Sequence, residues 1–509
     1  MLTKVLSASH FGLEITPVDV EVNIYKKGFP GFSIIGLPNK AVDESRERVK
    51  TALSNSGIEF PQAKIVVNLA PADIPKEGAG FDLPIAVGIL SAMGVVTIPN
   101  DSMFYGELSL DGGLRHTKGV FLLAVGAKKN KIKHVFVPKA ASSEGSVVKG
   151  INVYPVSSLI ELIKHINDVE QIKPIKSETS ITQTNISYDF DFAEIIGQPF
   201  AKRALEIAAA GGHNILMQGP PGSGKTMLAR ALPSILPDLT EEESLDVTKI
   251  YSVTGNIEPG ESLVRVRPFR VAHHTTSRIG LIGGGSNPHP GEISLAHRGI
   301  LFLDEFPEFS RSTLESLRQP LEDGKVTVTR AAGSITFPAE FMLVAAANPC
   351  PCGYQGDPKK DCKCSPRAIE RYQSKLSGPL LDRIDLHINV PTVEIEKLIP
   401  QGGHVKKEEA SKEIRIRVMK AREIQYKRFT KAKIITNSDM RNKHIKQFVN
   451  IEDSAQALLK QAVNNFNLSA RTYFRMLKVS QTIADLSGDK IIKDNHVAES
   501  LQYRLRVEN

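Results

Sequence analysis

One eight-residue loop constrains this chain more than any other feature. Residues 219–226 read Gly-Pro-Pro-Gly-Ser-Gly-Lys-Thr and satisfy the pattern G-x-x-x-x-G-K-[ST] at every position. Residues 214–217 before the loop are strand-like, and residues 227–232 after it have helical composition. A flexible Gly-Pro turn would not require these flanks, whereas a phosphate-binding loop does. The sequence therefore predicts a phosphate site between a strand and a helix.

The loop predicts how a nucleotide is held. Its glycines let backbone N–H groups turn toward the phosphates, and the following helix directs its partially positive N-terminus at the same oxygens. Lys225 is predicted to reach the β- and γ-phosphates, and Thr226 to bind Mg²⁺. The predicted cofactors are ATP and Mg²⁺. The predicted nucleotide-binding residues are Ile196, from the segment that begins this module, and Gly219, Pro220, Pro221, Gly222, Ser223, Gly224, Lys225 and Thr226.

Two further apolar runs end in polar residues suited to ATP hydrolysis. Residues 299–303 predict a buried parallel strand that ends in Asp304 and Glu305, at the edge where open α/β sheets bind ligands. Asp304 suits the Mg²⁺ shell, and Glu305 suits activation of a water for attack on the γ-phosphate. Residues 341–347 predict a third strand, and Asn348 at its end suits holding that water.

Length and composition indicate a multidomain globular protein. At about 150 residues per domain, 509 residues predict about three domains, and 41% hydrophobic with 24% charged residues is ordinary for soluble proteins. The N-terminus lacks the apolar block of a signal peptide. The longest uncharged run, residues 83–98, is interrupted by Pro84 and is short for a bilayer, so it predicts buried core. We expect a cytoplasmic protein without membrane segments.

The chain divides into four predicted regions. Residues 1–171 alternate short β-like runs with helical segments such as 44–56, which indicates a separate α/β domain. Residues 172–188 are polar and aperiodic and predict a linker. The nucleotide module is predicted to span residues 189–394, and a basic helical region to span residues 395–509. The predicted fold class is therefore multidomain α/β.

The nucleotide motifs together resemble those of AAA+ ATPases. Asp304-Glu305, Asn348 and the run Leu-Leu-Asp-Arg at 380–383 resemble the magnesium-chelatase-like branch, and most closely the ComM/YifB family. The likeness covers nearly the whole chain and includes residues 283–288 and 290–297. It implies a parallel sheet, a C-terminal helical lid and a hexameric ring.

The resemblance also implies roles for two arginines. Arg383 would reach the nucleotide of a neighbouring subunit, and Arg471 would act as the second sensor arginine of the lid. Arg475, one helical turn later, competes with Arg471 for that role. The predicted catalytic residues are Lys225, Asp304, Glu305, Asn348, Arg383 and Arg471.

The N-terminal domain carries a second resemblance. Residues 75–84 and 111–117 resemble the active-site segments of the Lon-type protease domain, which uses a Ser nucleophile activated by a Lys. The position of that serine falls at or beside Gly80, and Arg115 and Thr117 stand where lysines are expected. Without a hydroxyl nucleophile and a deprotonatable amine, this route of peptide hydrolysis is unavailable. We predict a non-catalytic Lon-like domain used for assembly or binding.

Two cationic insertions interrupt the nucleotide module. Residues 264–298 predict a Gly-rich basic loop projecting from the module, and residues 325–337 predict a β-hairpin with Arg330 near its tip. By the resemblance, elements at these positions line the central channel of a ring. Either could equally be a structural flap, but the cations favour contact with nucleic acid. The predicted DNA-binding residues are Arg278, Lys325 and Arg330.

Within the first insertion His273 and His274 are adjacent, and neighbours on an extended chain point to opposite faces. This pair is therefore predicted to be a poor metal chelator. The basic cluster of the insertion comprises Arg265, Arg267, Arg270, His273, His274 and Arg278.

A basic band follows the nucleotide module. Residues 406–446 contain 14 Lys and Arg against 5 Asp and Glu, while the whole chain has a formal net charge of +8. Such a band indicates a polyanionic partner. Because Lys and Glu alternate at i,i+4 spacing, a solvated helix face explains it as well. The two interpretations remain open at this point.

All four cysteines lie within fifteen residues, at positions 350, 352, 362 and 364. Two C-x-C pairs can supply four thiolates to a tetrahedral Zn²⁺, with intervening glycines that let the loop turn back. The alternative is a set of reduced structural thiols. The clustering favours a structural zinc site formed by Cys350, Cys352, Cys362 and Cys364.

The predicted function is an ATP-driven ring motor acting on branched or single-stranded DNA. The ComM resemblance implies branch migration, a helicase activity, during recombination of incoming DNA in natural transformation, with recombination proteins as candidate partners. A magnesium-chelatase-type ATPase for metal insertion is the main alternative, and an ATP-dependent protein remodeller is another. The lost Ser/Lys pair disfavours a protease.

Overall fold

The computed structural model describes residues 2–25, 29–76, 78–175, 188–258, 260–285, 288–330, 333–393, 408–432, 434–466 and 468–504. The chain forms two compact units. The first unit contains Met1–Thr184 together with Thr240–Arg265, and the second contains Asn185–Leu239 together with Val266–Asn509. Residues 240–265, which the sequence assigns to the nucleotide module, therefore belong to the first unit. Most of the predicted linker, residues 176–187, lies outside the described residues.

The elements are numbered in chain order. The strands are β1 Leu2–Phe11, β2 Glu14–Tyr25, β3 Gly31–Ile35, β4 Lys64–Ala70, β5 Ser102–Phe104, β6 Glu107–Leu108, β7 Leu114–Arg115, β8 His134–Pro138, β9 Asn152–Val156, β10 Ile215–Gln218, β11 Phe269–Ala272, β12 Gly283–Gly284, β13 His289–Pro290, β14 Ile300–Leu303, β15 Lys325–Arg330, β16 Gly333–Pro338, β17 Met342–Ala347 and β18 Leu386–Asn389.

The helices are α1 Lys40–Asp43, α2 Ser45–Asn55, α3 Asp82–Ala92, α4 Val120–Lys129, α5 Ser142–Ser146, α6 Leu159–Ile166, α7 Pro199–Gly211, α8 Lys225–Ala231, α9 Glu241–Thr254, α10 Arg278–Ile282, α11 Glu292–Leu295, α12 Arg311–Glu315, α13 Arg318–Asp323, α14 Pro366–Gln373, α15 Gly378–Leu381, α16 Ser411–Phe429, α17 Asn442–Phe448, α18 Asp453–Asn465, α19 Ala470–Ser487 and α20 Asp494–Gln502. Among the described residues no helix combines the length and apolar character that crossing a bilayer requires.

The described part of the first unit contains two main sheets and a short two-stranded one, β6-β7. The larger has the order β1-β2-β4-β3, in which only the β3–β4 pair is parallel. The smaller is a parallel sheet in the order β5-β8-β9. Alternating apolar residues of β2 and β4 face the core, as the two-residue period of a strand requires. Helix α3 packs against β1 and β2 and is buried along most of its length, as the uncharged run predicts.

Helix α9 completes this unit although its sequence follows the phosphate loop. It begins at a capping box in which the Thr240 hydroxyl accepts from the Glu243 N–H at 3.2 Å, and it ends at Gly255 in the left-handed region. The Gly119 N–H donates to the Ser252 carbonyl at 3.0 Å, and the Ser252 hydroxyl donates to buried Glu144 at 2.6 Å. These contacts place α9 against α4 and α5.

The segment that resembles a protease active site is closed around Gly80. A Cβ atom at this position would lie 2.2–2.8 Å from the ring and hydroxyl of Tyr105, which is itself buried. No serine fits there unless Tyr105 moves. Thr117, at the place of an expected lysine, accepts a hydrogen bond from the Glu107 N–H at 3.1 Å. That this is a non-catalytic Lon-like domain stays a prediction.

The second unit is organised around a five-stranded parallel sheet. Its order is β11-β14-β17-β10-β18. Near-continuous apolar runs form β14 and β17, and every residue of both strands is buried, as expected for a sheet covered on both faces. The predicted strands at the phosphate loop, at Asp304 and at Asn348 are all confirmed. Their carboxyl ends meet at one edge of the sheet.

The first cationic insertion is not simply a projecting loop. Residues Phe269–Ala272 form the edge strand β11, so the prediction is wrong for this stretch. Arg267 donates to the carbonyls of Pro237 and Arg298 at 2.6 and 2.7 Å, and Arg270 pairs with Glu292 at 2.7 Å. These arginines serve the fold, because their partners lie inside the same unit. The predicted hairpin is confirmed as β15 paired with β16.

Four arginines of the basic band have partners within the second unit. Arg415 pairs with Asp238 at 2.6 Å, Arg417 pairs with Glu206 and Glu409, and Arg428 pairs with buried Asp485. The Arg422 guanidinium donates to the Ala209 carbonyl at 2.8 Å. For these residues the structure therefore favours a helix face over a polyanion site. The face is not simply solvated, because the arginines hold α16 against other elements of the second unit.

Candidate nucleotide site

The phosphate loop connects β10 to α8 as the motif predicts. Gly222 and Gly224 adopt φ values of +77° and +89°, which β-substituted residues rarely adopt. A Cβ atom on Gly219 would lie 2.1 Å from the carbonyl oxygen of Val390 at the end of β18. The glycines therefore serve both the turn and the close packing of the loop on the sheet. Ile196 is half-buried and precedes α7.

Lys225 is folded onto the loop that it follows. Its ammonium donates to the carbonyls of Gly219 and Pro220 at 2.8 and 2.9 Å and lies 3.4 Å from the amide oxygen of Asn348. Burial lowers the pKa of Lys225, and the charge of Asp304 partly opposes this effect. The ammonium is thus held beside the loop with only carbonyl, amide and hydroxyl oxygens as close partners, and phosphate oxygens would be stronger acceptors.

Thr226 and Asp304 form the pair expected to bind Mg²⁺. The Thr226 hydroxyl donates to Oδ2 of Asp304 at 3.0 Å, and Oδ1 of Asp304 accepts from the Glu305 N–H at 2.9 Å. A hydroxyl and a carboxylate oxygen that face each other beside a phosphate loop suit the hard oxygen ligation of this cation. The donor set therefore fits Mg²⁺, which when bound would neutralise phosphate charge.

Glu305 has an unusual conformation and an unexpected neighbour. Its φ of +50° lies in the left-handed region, which is uncommon for a residue with a side chain and is enriched at functional sites. Its Oε2 atom lies 2.9 Å from Nδ1 of His274. The prediction that His273 and His274 point apart is wrong, because their ring centroids are 4.1 Å apart. The chain turns immediately after β11, so extended-strand geometry does not apply.

Asn348 lies where its strand predicts, close to the lysine and a buried tyrosine. Asn348 contacts Lys225 at 3.4 Å. Burial raises the pKa of Tyr372 in α14, and the backbone of Asn348 partly opposes this rise. The sequence predicts a role for Asn348 in the site but none for His274 or Tyr372. The signal for His274 is its position just after β11, the strand next to β14. That signal is weak, because β11 is short and contains an arginine.

The arginines implied by the resemblance occupy different environments. Arg383 pairs with Glu322 of its own chain and donates to the Pro379 carbonyl at 2.6 Å. Arg471 is exposed in the first turn of α19, which Ser469 caps. Arg475 is buried and donates to the carbonyls of Leu381 and Ile384. Arg475 thus anchors the 381–384 segment, which leaves Arg471 better placed to contact a ligand.

The four cysteines converge on a single point. Their Sγ atoms all lie within 4.8 Å of one another, and the Cys350–Cys352, Cys350–Cys362 and Cys352–Cys362 separations are 3.4, 3.6 and 3.6 Å. Backbone N–H groups of Tyr354 and Lys363 lower the pKa of the Cys352 thiol to about 6. The geometry suits four-thiolate ligation of a metal ion.

The predicted DNA-binding residues lie on separate elements. Arg278 begins α10 and is exposed, and Lys325 begins the β15–β16 hairpin and is also exposed. Arg330 ends β15 opposite Gly333, but its side chain lies outside the described residues. The structure therefore presents two of the three predicted cations on the surface of the second unit.

Comparison with known proteins gives matches along nearly the entire chain. Residues 191–398 match the family model "Magnesium chelatase, subunit ChlI", residues 20–141 match "Subunit ChlI of Mg-chelatase", and residues 408–504 match "Magnesium chelatase, subunit ChlI C-terminal". The "Competence protein ComM" of Haemophilus influenzae is 43% identical over 99% of this chain and 98% of its own length. The chain belongs to the ComM/YifB family of magnesium-chelatase-like proteins.

Other relatives show where this ComM/YifB protein differs from chelatase subunits. The "Uncharacterized protein YifB" of Escherichia coli is 41% identical over 99% of this chain and 97% of its own length. The "Magnesium-chelatase subunit ChlI-2, chloroplastic" of Arabidopsis thaliana is 26% identical over 47% of this chain and 57% of its own length. The likeness to the ComM and YifB proteins is thus a full-length likeness, whereas the likeness to the Arabidopsis chelatase subunit covers about half the chain.

Proposed function

We propose that this protein is an ATP-hydrolysing hexameric ring motor that binds DNA and drives branch migration during recombination of incoming DNA. The observation that carries the ATPase part is the convergence of Lys225, Thr226 and Asp304 at the carboxyl edge of one parallel sheet. A phosphate loop, a Mg²⁺-binding pair and a second carboxylate at one edge are the parts that phosphoryl transfer to water requires.

Each residue of this site has a separate proposed role in hydrolysis. Lys225 neutralises charge on the β- and γ-phosphates, and Thr226 with Asp304 holds Mg²⁺. Glu305 orients and activates the attacking water, and His274 fixes the position of its carboxylate. Asn348, whose amide oxygen lies 3.4 Å from the Lys225 ammonium, would hold the same water. Little covalent chemistry is needed, because catalysis of phosphoryl transfer is mainly positioning and charge stabilisation.

Two observations support DNA as the substrate of the motor. The full-length relative from Haemophilus influenzae is named a competence protein, and competence is the uptake of DNA. The exposed Arg278 and Lys325 lie on the two insertions of the second unit, where cations attract phosphates. The neutralised arginines of α16 shift the expected DNA contact from the basic band toward these insertions.

The ring is proposed to share its active sites between subunits. Arg383 would act on the nucleotide of a neighbouring subunit after leaving Glu322, and Arg471 would respond to the nucleotide through the C-terminal helices. A site shared in this way couples hydrolysis around a ring, which is the property a processive motor requires.

A chelatase-type ATPase is the second candidate. The family matches over residues 191–398 and 408–504 favour it. The full-length ComM likeness and the four clustered cysteines favour the DNA motor.

The decisive experiment measures ATP hydrolysis by the full chain with no polymer, with single-stranded DNA, with a four-way DNA junction and with an unfolded protein. Stimulation by the junction, together with ATP-dependent conversion of the junction to duplex products, is the expected result. Lys225→Ala protein is the matched control and should show neither. Stimulation only by the unfolded protein would establish a protein remodeller, and no stimulation by either DNA would overturn the DNA assignment.

A further inference from the structure

We propose that Cys350, Cys352, Cys362 and Cys364 bind one Zn²⁺ ion. This ion would fix the backbone that packs against the phosphate loop of the nucleotide site. The proposal rests on the proposed nucleotide site for its effect on ATP binding, but the metal site itself stands on its own geometry.

The sulfur positions match a tetrahedral site. Zn–S bonds of about 2.3 Å in a tetrahedron place the sulfurs about 3.8 Å apart. The separations among Cys350, Cys352 and Cys362 are 3.4–3.6 Å, and all four sulfurs lie within 4.8 Å of one another. Disulfide bonds are not formed, since the four cysteines are free. Four cysteines at this spacing are stabilised more by ligating a shared cation than by contacts among their thiol groups.

The cysteine loop packs directly on the phosphate loop. Gly353 follows Cys352 with φ of +84°, and a Cβ atom on it would lie 2.5 and 2.7 Å from Cδ and Cγ of Pro221. The Gly353 N–H donates to the Cys350 carbonyl at 2.9 Å, so the first C-x-C pair closes the turn that carries this glycine. A metal held by Cys350 and Cys352 therefore fixes the backbone against which Pro221 rests.

The second C-x-C pair leads to another support of the same site. Helix α14 begins two residues after Cys364, and the side-chain amide of its Gln373 donates to the Pro349 carbonyl, just before Cys350, at 3.4 Å. Asn348 in turn lies two residues before Cys350 and 3.4 Å from the Lys225 ammonium. The four ligands thus tie the end of β17 and α14 together. A zinc ion there would fix both Pro221 and Asn348 relative to the lysine.

A loop of this composition has few other ways of holding its shape. Residues 351–365 contain no helix or strand, and the side chains of Cys352, Cys362 and Cys364 are only partly buried. An irregular loop with little buried apolar surface has low local stability. Coordination by four thiolates supplies the missing stabilisation, because metal binding free energy becomes folding free energy of the segment.

The test begins with zinc alone as the probe, on full-length protein purified without chelators. We expect about one zinc per chain in the wild type and none in Cys362→Ser/Cys364→Ser. Affinity for a fluorescent ATP analogue should fall about tenfold or more in that variant, and also in wild type stripped of zinc by a chelator. Readdition of zinc should restore the stripped wild type but not the variant.

A glycine pair separates the packing contact from metal binding. Gly353→Ala keeps all four ligands but places a methyl group against Pro221, so we expect full zinc content with weakened nucleotide binding. Gly356→Ala is the matched control, because Gly356 has a similar φ of +73° but nothing within 4 Å of an added Cβ. This control should retain both zinc and nucleotide affinity.

The outcomes separate the two parts of the proposal. Absence of zinc from the wild type would overturn the metal site. If the wild type contains zinc but its nucleotide affinity is unchanged after a chelator removes the metal, the coupling is overturned. Equal nucleotide affinity of the Gly353→Ala and Gly356→Ala variants would overturn it as well. If zinc-loaded wild type binds no nucleotide at all, the proposed ATPase function fails and the coupling with it, whereas the zinc stoichiometry still establishes the metal site.

Discussion

Nδ1 of His274 lies 2.9 Å from Oε2 of Glu305, although the two residues follow different strands. They meet because β11 and β14 are parallel neighbours that end at the same edge of the sheet. The imidazole nitrogen therefore lies at ion-pairing distance from the carboxylate that the proposed mechanism uses to activate water.

We expect His274→Ala to lower the kcat of ATP hydrolysis on the order of 10- to 100-fold, because a mispositioned carboxylate no longer aligns the water. Nucleotide affinity should change less than about twofold, since His274 is not expected to touch the phosphates. His273→Ala is the control, because His273 is exposed and contacts Thr275 instead. Equal loss of kcat in both variants, or lost affinity in His274→Ala, would contradict this role.

Lys225→Ala and Glu305→Gln should separate binding from turnover. Lys225→Ala loses the cation beside the phosphate loop, so nucleotide binding should be abolished. Glu305→Gln keeps the shape of the side chain but loses the base, so ATP should remain bound while turnover falls about 10²- to 10⁴-fold. Equilibrium binding and single-turnover hydrolysis measure the two effects. Equal loss of ATP binding in both variants would refute the assigned roles.

Subunit mixing tests whether Arg383 acts across the ring. Lys225→Ala subunits keep Arg383 but cannot use ATP, and Arg383→Ala subunits bind ATP but lack the arginine. Both should be nearly inactive alone, since such arginines contribute about 10³- to 10⁵-fold in rate. Mixed rings contain interfaces with both intact residues, so hydrolysis should recover at intermediate ratios. If confirmed subunit exchange brings no recovery, Arg383 serves only its contact with Glu322 in its own chain.

DNA affinity should depend on the cations of the insertions more than on those of α16. Arg278→Ala and Lys325→Ala should each weaken binding and reduce the slope of log affinity against log salt by about 1, as loss of one phosphate contact does. Lys412→Ala and Lys420→Ala are matched controls, because both lysines are exposed on α16. Binding titrations at several salt concentrations measure the slopes. Larger effects in the α16 variants would move the DNA surface to the basic band.

Stability of the first unit should fall as the pH rises toward 8. Burial raises the pKa of Glu144 to about 7, despite its hydrogen bonds from Ser252 and the Phe121 N–H. The folded unit therefore favours the protonated acid. The stability that this preference contributes is fully present below the ordinary pKa of 4.5, and it is lost as the pH rises from 4.5 to about 7. His116, 3.7 Å away, also faces this carboxyl group.

Thermal unfolding of Glu144→Gln tests this dependence. The variant should melt above the wild type at pH 8, and the difference should shrink at pH 5.5, because glutamine carries no charge to bury. Glu241 is an exposed acid on α9, the helix that carries Ser252, and Glu241→Gln should behave like the wild type at both pH values. A difference that stays constant with pH would show that Glu144 is not ionising in this range.

The site residues whose positions at strand ends are confirmed belong to contiguous patterns. The phosphate loop, the two acids after β14 and Asn348 after β17 each end a local run of strand-like residues, and parallel strands bring such ends together. His274 was not predicted because its strand is four residues long and includes Arg270, so it does not stand out as an apolar run.

The errors have a common physical origin in distant partners. The charge of Arg428 is visible in the sequence, but its partner Asp485 lies 57 positions away on another helix. Similarly, the apolar face of α9 shows that the helix packs against something, but not that the surface is α4 rather than the sheet of the nucleotide module. Local patterns specify an element, and its neighbours depend on the whole chain.

The membership of α9 in the first unit has a consequence for biosynthesis. A ribosome delivers residues 1–184 first, then the phosphate loop, and only afterwards the helix that donates the Ser252 hydrogen bond to Glu144. Until that helix emerges, the surface of α4 that it covers stays open to water. The first unit therefore cannot be completed until residues 185–239 of the second unit, including the phosphate loop, have already been synthesised.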